Sequence, residues 1–209
     1  MNAHELHIIS TGKQPIEKFV EIASNIQEHV DFFYLREKQM SASELYRAVT
    51  LLHDNKIPLS KIVINDRMDV AWVHKVFGVQ LAFHSLDAGV VKGAFPGMNI
   101  GCSIHSMDEA KAAFSKGANY AIYGHVFETD SKIGLPPKGV KELHAITRNV
   151  NIPIIAIGGI TPFNCQVVLD AGARGIAVMS GVLEAENPVR AVKEYSKSLG
   201  KETLDEFHI

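Results

Sequence analysis

Tyr120-Ala-Ile-Tyr-Gly-His-Val-Phe-Glu-Thr-Asp-Ser-Lys-Ile-Gly-Leu-Pro-Pro-Lys-Gly139 is the stretch from which the fold can be read. Residues 120–123 are apolar throughout, too few for a helix, and Gly124 ends them. A polar loop follows, carrying Thr129, Ser131 and Lys132 and closing on Pro136, Pro137 and Gly139. A continuously apolar strand is one buried on both faces, as in a parallel sheet. The long Gly/Pro-containing loop at its end is where such proteins place their chemistry.

The same pattern recurs in both directions. Downstream, Val140–Thr147 reads as a helix, and Ile154–Ile157 is a strand running into Gly158-Gly159. Thr161-Pro162 predicts a helix start, with Gly172 as its end. Gly175–Val178 is a further strand, followed by Met179-Ser180-Gly181, a last helix at Val189–Leu199 and a polar tail. Upstream, Ile100–Ser103 is a strand, and Ser106 with Glu109 caps the helix that ends near Gly117. Residues 85–98 are irregular and Gly-rich, with room for one helical turn. Before them lie strands at Gly78–Leu81, Ile62–Ile64, Phe32–Leu35 and Leu6–Ile9. Helices at 68–76, from Ser41 onward and from Pro15 onward separate these strands, each with apolar residues at helical spacing. Eight strands alternate with about eight helices, which predicts a single-domain (β/α)8 TIM barrel over residues 1–209. A doubly wound open sheet would need only about five or six strands.

Composition removes several classes of function. The chain is 46% apolar and 21% charged, with a formal net charge of -2 and no block of like charge. Neither nucleic acid nor an anionic membrane surface is therefore an expected partner. Cys102 and Cys165 form no CxxC pair and read as reduced, buried thiols. The N-terminus lacks an apolar h-region, and no run approaches the length of a membrane span, so the expected location is cytoplasmic. The oligomeric state is not legible, and a homo-oligomer is left open.

In a barrel the residues at the strand C-termini share one mouth. These include Arg36, Lys38, Asn65, Asp66, His84, Ser103, His105, His125, Lys132, Gly158, Gly159, Ser180 and Gly181. The turns at Gly158-Gly159 and Ser180-Gly181 stand where barrels hold a phosphate on backbone N–H groups, although two tight turns would read the same way. Arg36 and Lys38, two apart in extended chain, suit a second anionic group, or else a solvated strand end paired with Glu37 or Asp66. Asn65-Asp66 could bind a metal, but capping the next helix is the favoured reading. His125 is the sharpest of the 10 histidines, because an imidazole can both take and give a proton near neutral pH.

Six segments, Tyr34–Lys38, Asn65–Arg67, Ile100–Ser106, Gly117–Tyr120, Thr129–Lys132 and Ala156–Ile160, together resemble the thiamine-phosphate synthase superfamily in the same order. The resemblance implies a (β/α)8 barrel of thiamine biosynthesis. Three departures set the chain apart from the magnesium-dependent synthases, and the last of them resembles the thiazole tautomerase (TenI-like) branch. Tyr34 stands where the synthase pattern has glutamine, and Ser85 where it has a magnesium-binding aspartate. His125 replaces the proline of Gly-Pro-x-Phe-x-Thr, and Gly134–Gly139 is also tautomerase-like. The implied activity is aromatisation of a carboxythiazole phosphate, a small-molecule substrate, with His125 as catalyst and no metal or cofactor. The implied phosphate site is Gly159, Met179 and Ser180, and the carboxylate falls to Arg36, Lys38, Ser103 or Lys132 without a ranking. The alternatives are a true synthase and a non-catalytic barrel that binds a thiazole phosphate.

Overall fold

The computed structural model describes residues 4–201. Eight strands are β1 (Glu5–Ile9), β2 (Phe32–Leu35), β3 (Ile62–Asn65), β4 (Gly78–Leu81), β5 (Asn99–Ile104), β6 (Tyr120–Gly124), β7 (Ile154–Ile157) and β8 (Gly175–Val178). All are parallel, each pairs with its neighbour in chain order, and β8 returns to β1 to close the barrel, with Ile8 opposite Val178. The single-domain (β/α)8 TIM barrel expected from the alternation is the observed fold.

Short apolar strands suffice here because both faces are buried. Ile9, Tyr34, Val63, Tyr120, Ile122, Ile155 and Ala177 pack with one another inside the barrel. The alternate residues, among them Leu6, Ile8, Phe33, Leu35, Ile62 and Ile64, pack against the surrounding helices. Those helices are α1 (Ile16–Ile26), α2 (Ala42–Asp54), α3 (Met68–His74), α4 (Ala88–Ala94), α5 (Met107–Ser115), α6 (Val140–Asn149), α7 (Cys165–Asp170), α8 (Ser180–Leu183) and α9 (Pro188–Ser198). The expected capping box is present on α2, where Ser41 Oγ accepts from the Glu44 N–H and Glu44 returns to the Ser41 N–H. No helix among the described residues is long and apolar enough to cross a membrane.

Four local expectations are corrected. Residues 85–98 hold the seven-residue helix α4 rather than one turn, because Asp87 caps it through the Gly89 N–H while Val91 anchors it in the core. Helix α7 starts at Cys165, not at Thr161-Pro162, because Thr161 and Asn164 bond one another's backbone N–H groups and hold an open turn. Asp66 is not a cap. It sits in left-handed backbone at φ 64, and α3 begins after Arg67 with no side-chain cap at all. Cys102 is only partly buried, since it faces outward from β5, whereas Cys165 is fully buried; both are free. The polar tail beyond residue 201 lies outside the described residues.

At the floor of the barrel, the strand N-terminal end, the polar groups are joined to one another. His7 Nδ1 lies 2.9 Å from the Tyr34 hydroxyl and its Nε2 lies 3.1 Å from Glu5, while Tyr34 bonds Tyr120 at 3.1 Å. Arg174 Nε donates to the other Glu5 oxygen at 2.8 Å. Burial holds the His7 imidazole below its ordinary 6.5, although Glu5 pulls the other way.

Candidate active site

The mouth is built from strand ends that stop for reasons visible in the sequence. Gly124 ends β6 against β7: a Cβ there would lie 2.4 Å from the Ile157 carbonyl oxygen. Pairing nevertheless continues past it, because the Val126 N–H donates to Ile157 O and the Phe127 N–H to Gly158 O. His125 thus directly precedes two backbone bonds, one to the end of β7 and one to the turn after it, and is 8% exposed. The loop that follows returns to its own base, where Lys138 N–H donates to His125 O at 2.9 Å and Gly139 N–H to Val126 O at 3.1 Å.

The glycine pair after β7 exists to admit this histidine. Gly158 has φ +99, and a Cβ on it would lie 2.3 Å from the His125 Cβ. Gly159 has φ +64 and would meet the Glu128 carbonyl oxygen at 2.2 Å. Both positions are closed to other residues by conformation and by space. The turn is therefore more than a tight corner, since it seats His125.

The imidazole's chemistry is set by one bond. Nε2 lies 3.2 Å from the Leu135 carbonyl oxygen, and a carbonyl can only accept, so Nε2 carries the proton. Nδ1 has no partner among the described residues and is left as an open acceptor. Leu135 was not singled out in the sequence, because its contribution is a backbone oxygen that any residue supplies.

Beside His125, the ends of β7 and β8 are in register, with Ile157 opposite Ala177, so Gly159 and Met179 stand at the same level. The N–H groups of Gly159, Met179 and Ser180 donate to no acceptor among the described residues. Together they offer three donors at neighbouring strand ends. Ser103, at the end of β5, is half-buried, and its Oγ accepts from Gln80 Nε2 at 3.1 Å. Lys132 is exposed on the short 3₁₀ turn Asp130–Lys132 and has no ion-pair partner among the described residues.

Arg36 and Lys38 part company. The chain leaves β2 after Leu35 and turns at Lys38, so the shared direction expected of an extended segment does not persist. Lys38 lines a cavity of about 380 Å³ with Glu37, Met40, Asn65, Asp66, Arg67 and His84, a group that does not include Arg36. Neither cation is ion-paired among the described residues, so pairing with Glu37 or Asp66 is not the arrangement found. Arg36 is half-buried, with its backbone N–H donating to Ser10 Oγ at 2.8 Å. His84 lies 3.6 Å from Asp66, and His105 is occupied by Glu109 at 3.0 Å.

The chain matches the thiamine monophosphate synthase family (TMP-TENI) over residues 6–182. It belongs to that family. A thiamine-phosphate synthase of Chlorobium luteolum is 40% identical over 166 residues, 76% of each chain. A putative thiamine-phosphate synthase 2 of Aquifex aeolicus is 34% identical over 186 residues, 88% of this chain and all of that one. Among solved structures, thiamine phosphate pyrophosphorylase from Pyrococcus furiosus superposes with a TM-score of 0.79 at 32% identity, covering 94% of this chain and 96% of that one. The resemblance to the superfamily is borne out, and the relatives' names place the family in thiamine biosynthesis.

Proposed function

We propose that the protein is a thiazole tautomerase that aromatises a carboxythiazole phosphate. The observation that carries this reading is His125: buried, seated by Gly158, and holding a fixed Nε2–H with an open Nδ1. Nδ1 takes the proton from C2 of the non-aromatic ring, the C–H pair moves into the ring, and the exocyclic carbon receives a proton as the double bond shifts. The imidazolium formed in the first half is the acid for the second, so no net proton is gained or lost. Aromaticity makes the step downhill, and acid–base catalysis of about 10²–10⁴-fold is the demand placed on the site. The substrate phosphate is held by the N–H groups of Gly159, Met179 and Ser180, two strand ends from His125 at most. The mouth cations Arg36, Lys38 and Lys132 favour its carboxylate.

A second reading, a thiamine-phosphate synthase, is favoured by the names of the relatives. That chemistry needs magnesium beside a diphosphate, and the donor set here does not fit it. Ser85 stands where the second carboxylate belongs, and its Oγ accepts from the Ala82 N–H at 2.8 Å. The nearby Asp87 is engaged by Lys116 and by its own helix. Asp66 has His84 beside it and Glu37 across the cavity, but no three acidic, His or Cys side chains converge among the described residues.

An ultraviolet time course of the non-aromatic tautomer with purified protein separates the readings. Faster aromatisation, lost in His125→Asn, is expected. Acceleration by both proteins would move the proton transfer to another group. No acceleration, with magnesium-dependent coupling of pyrimidine diphosphate to thiazole phosphate instead, would make the protein a synthase.

A further inference from the structure

Gln80 is the outlier of the barrel interior. It interrupts the apolar run of β4, is 3% exposed, and its Oε1 is the buried side-chain atom without a hydrogen-bond partner among the described residues. A buried polar atom left unpaired is destabilising, so its retention calls for a reason.

The reason lies in how the amide is clamped against β5. A Cβ on Gly101 would lie 2.3 Å from Gln80 Oε1 and 2.3 Å from the Tyr120 Cζ, so only glycine leaves room for both. The other end of the amide, Nε2, donates to Ser103 Oγ at 3.1 Å, two residues nearer the mouth on the same strand. The direction of this bond matters. Because Ser103 Oγ accepts from Nε2, the single hydroxyl proton remains to be given elsewhere. The amide turned over would instead draw that proton to its own oxygen. Among the groups offered for the substrate carboxylate, Arg36, Lys38 and Lys132 have no side-chain partner among the described residues, while Ser103 is held by a buried neighbour.

We propose that Gln80 is a positioning residue that makes Ser103 a hydrogen-bond donor to the carboxylate of the substrate. The unpaired Oε1 follows from committing Nε2 to Ser103. The identity of the ligand rests on the tautomerase reading; the pairing of Gln80 with Ser103 does not.

The test compares the aromatic carboxythiazole phosphate with its decarboxylated counterpart as ligands, by calorimetry, on the full-length protein. Gln80→Met and Ser103→Ala are each expected to weaken the carboxylated ligand by about tenfold, one charge-assisted hydrogen bond, and to leave the decarboxylated one unchanged. The double variant is expected to bind no worse than Ser103→Ala alone, because Gln80 acts through that hydroxyl. In turnover, Gln80→Met raises KM with kcat unchanged. Equal losses on both ligands, or additive losses in the double variant, overturn the proposal. If Gln80→Met does not fold, Gln80→Leu removes the donor without adding a charge, and the same loss is expected. Ser103→Ala binding both ligands like wild type overturns the proposal without any change at Gln80. Wild type that prefers the carboxylated ligand yet does not aromatise the tautomer ends the tautomerase reading and leaves the Gln80 reading to its own cycle. Binding of neither ligand ends both.

Discussion

At the floor of the barrel, Glu5, His7, Tyr34, Tyr120 and Arg174 are joined to one another, whereas at the mouth the side chains of Arg36, Lys38 and Lys132 and the Nδ1 of His125 have no partner among the described residues. Both ends are made from the same eight strands. The difference is that a paired polar group stabilises the fold, while an unpaired one keeps its interaction for a ligand.

The comparison can be broken at either end. The largest expected effect is at the mouth: His125→Asn lowers turnover of the tautomer by about 10²–10⁴-fold while the thermal midpoint hardly moves. Turnover that survives intact in a folded variant would remove His125 from the mechanism. Gly158→Ala comes next. Its Cβ would collide with that of His125 in left-handed backbone, so turnover is expected to fall by about 10²-fold through misplacement of the imidazole. The strain should also cost about 1–3 kcal/mol in urea unfolding. Loss of stability with full activity would show that the seat is not needed.

At the floor the pattern reverses. Tyr34→Phe leaves His7 and Tyr120 without their shared partner, and about 1–3 kcal/mol of stability should be lost with turnover preserved. An equal fall in kcat would mean that the floor reaches the chemistry. The smallest effect is the pH dependence of the same network. Burial lowers the His7 value in the folded state below its ordinary 6.5, so on acidification the unfolded chain takes up a proton that the folded chain refuses. Stability from this group is complete above about 6.5 and declines as pH falls from there toward the folded value. Glu5 is also lowered, burial being outweighed by its bonds to His7 and Arg174, and its contribution declines only in the acid range below 4.5. Urea midpoints measured between neutral and mildly acid pH should fall for wild type and flatten in His7→Gln; an unchanged slope would mean another group is responsible.

The barrel was legible because its signal is periodic and local. Apolar quartets bounded by Gly, Ser and Pro, with helical spacing between them, specify strands buried on both faces without any knowledge of partners. The misread segments are those where one side chain outranked composition. Asp87 capped a helix in a Gly-rich stretch, and the Thr161–Asn164 turn delayed another despite its proline. His125 could be singled out from its place between Gly124 and the long loop. Its tautomer could not, because the Leu135 carbonyl ten residues away is chemically anonymous in the sequence.

Sequence alone therefore determined the strand order, the mouth and the residue types gathered there, since these follow from periodicity and from the rule that strand C-termini share one face. It also carried Ser85 and His125, the two positions on which the proposed choice of activity rests. Only the tertiary structure decided which of those groups are spoken for. Pairing depends on contacts between residues far apart in the chain: Arg36 and Lys38 separate once β2 ends, Asp66 meets His84 instead of capping α3, and Gly158 turns out to be a seat for His125. Gln80, an unremarkable polar residue in a strand, acquires a role only when closure of β4 against β5 brings its amide onto Ser103.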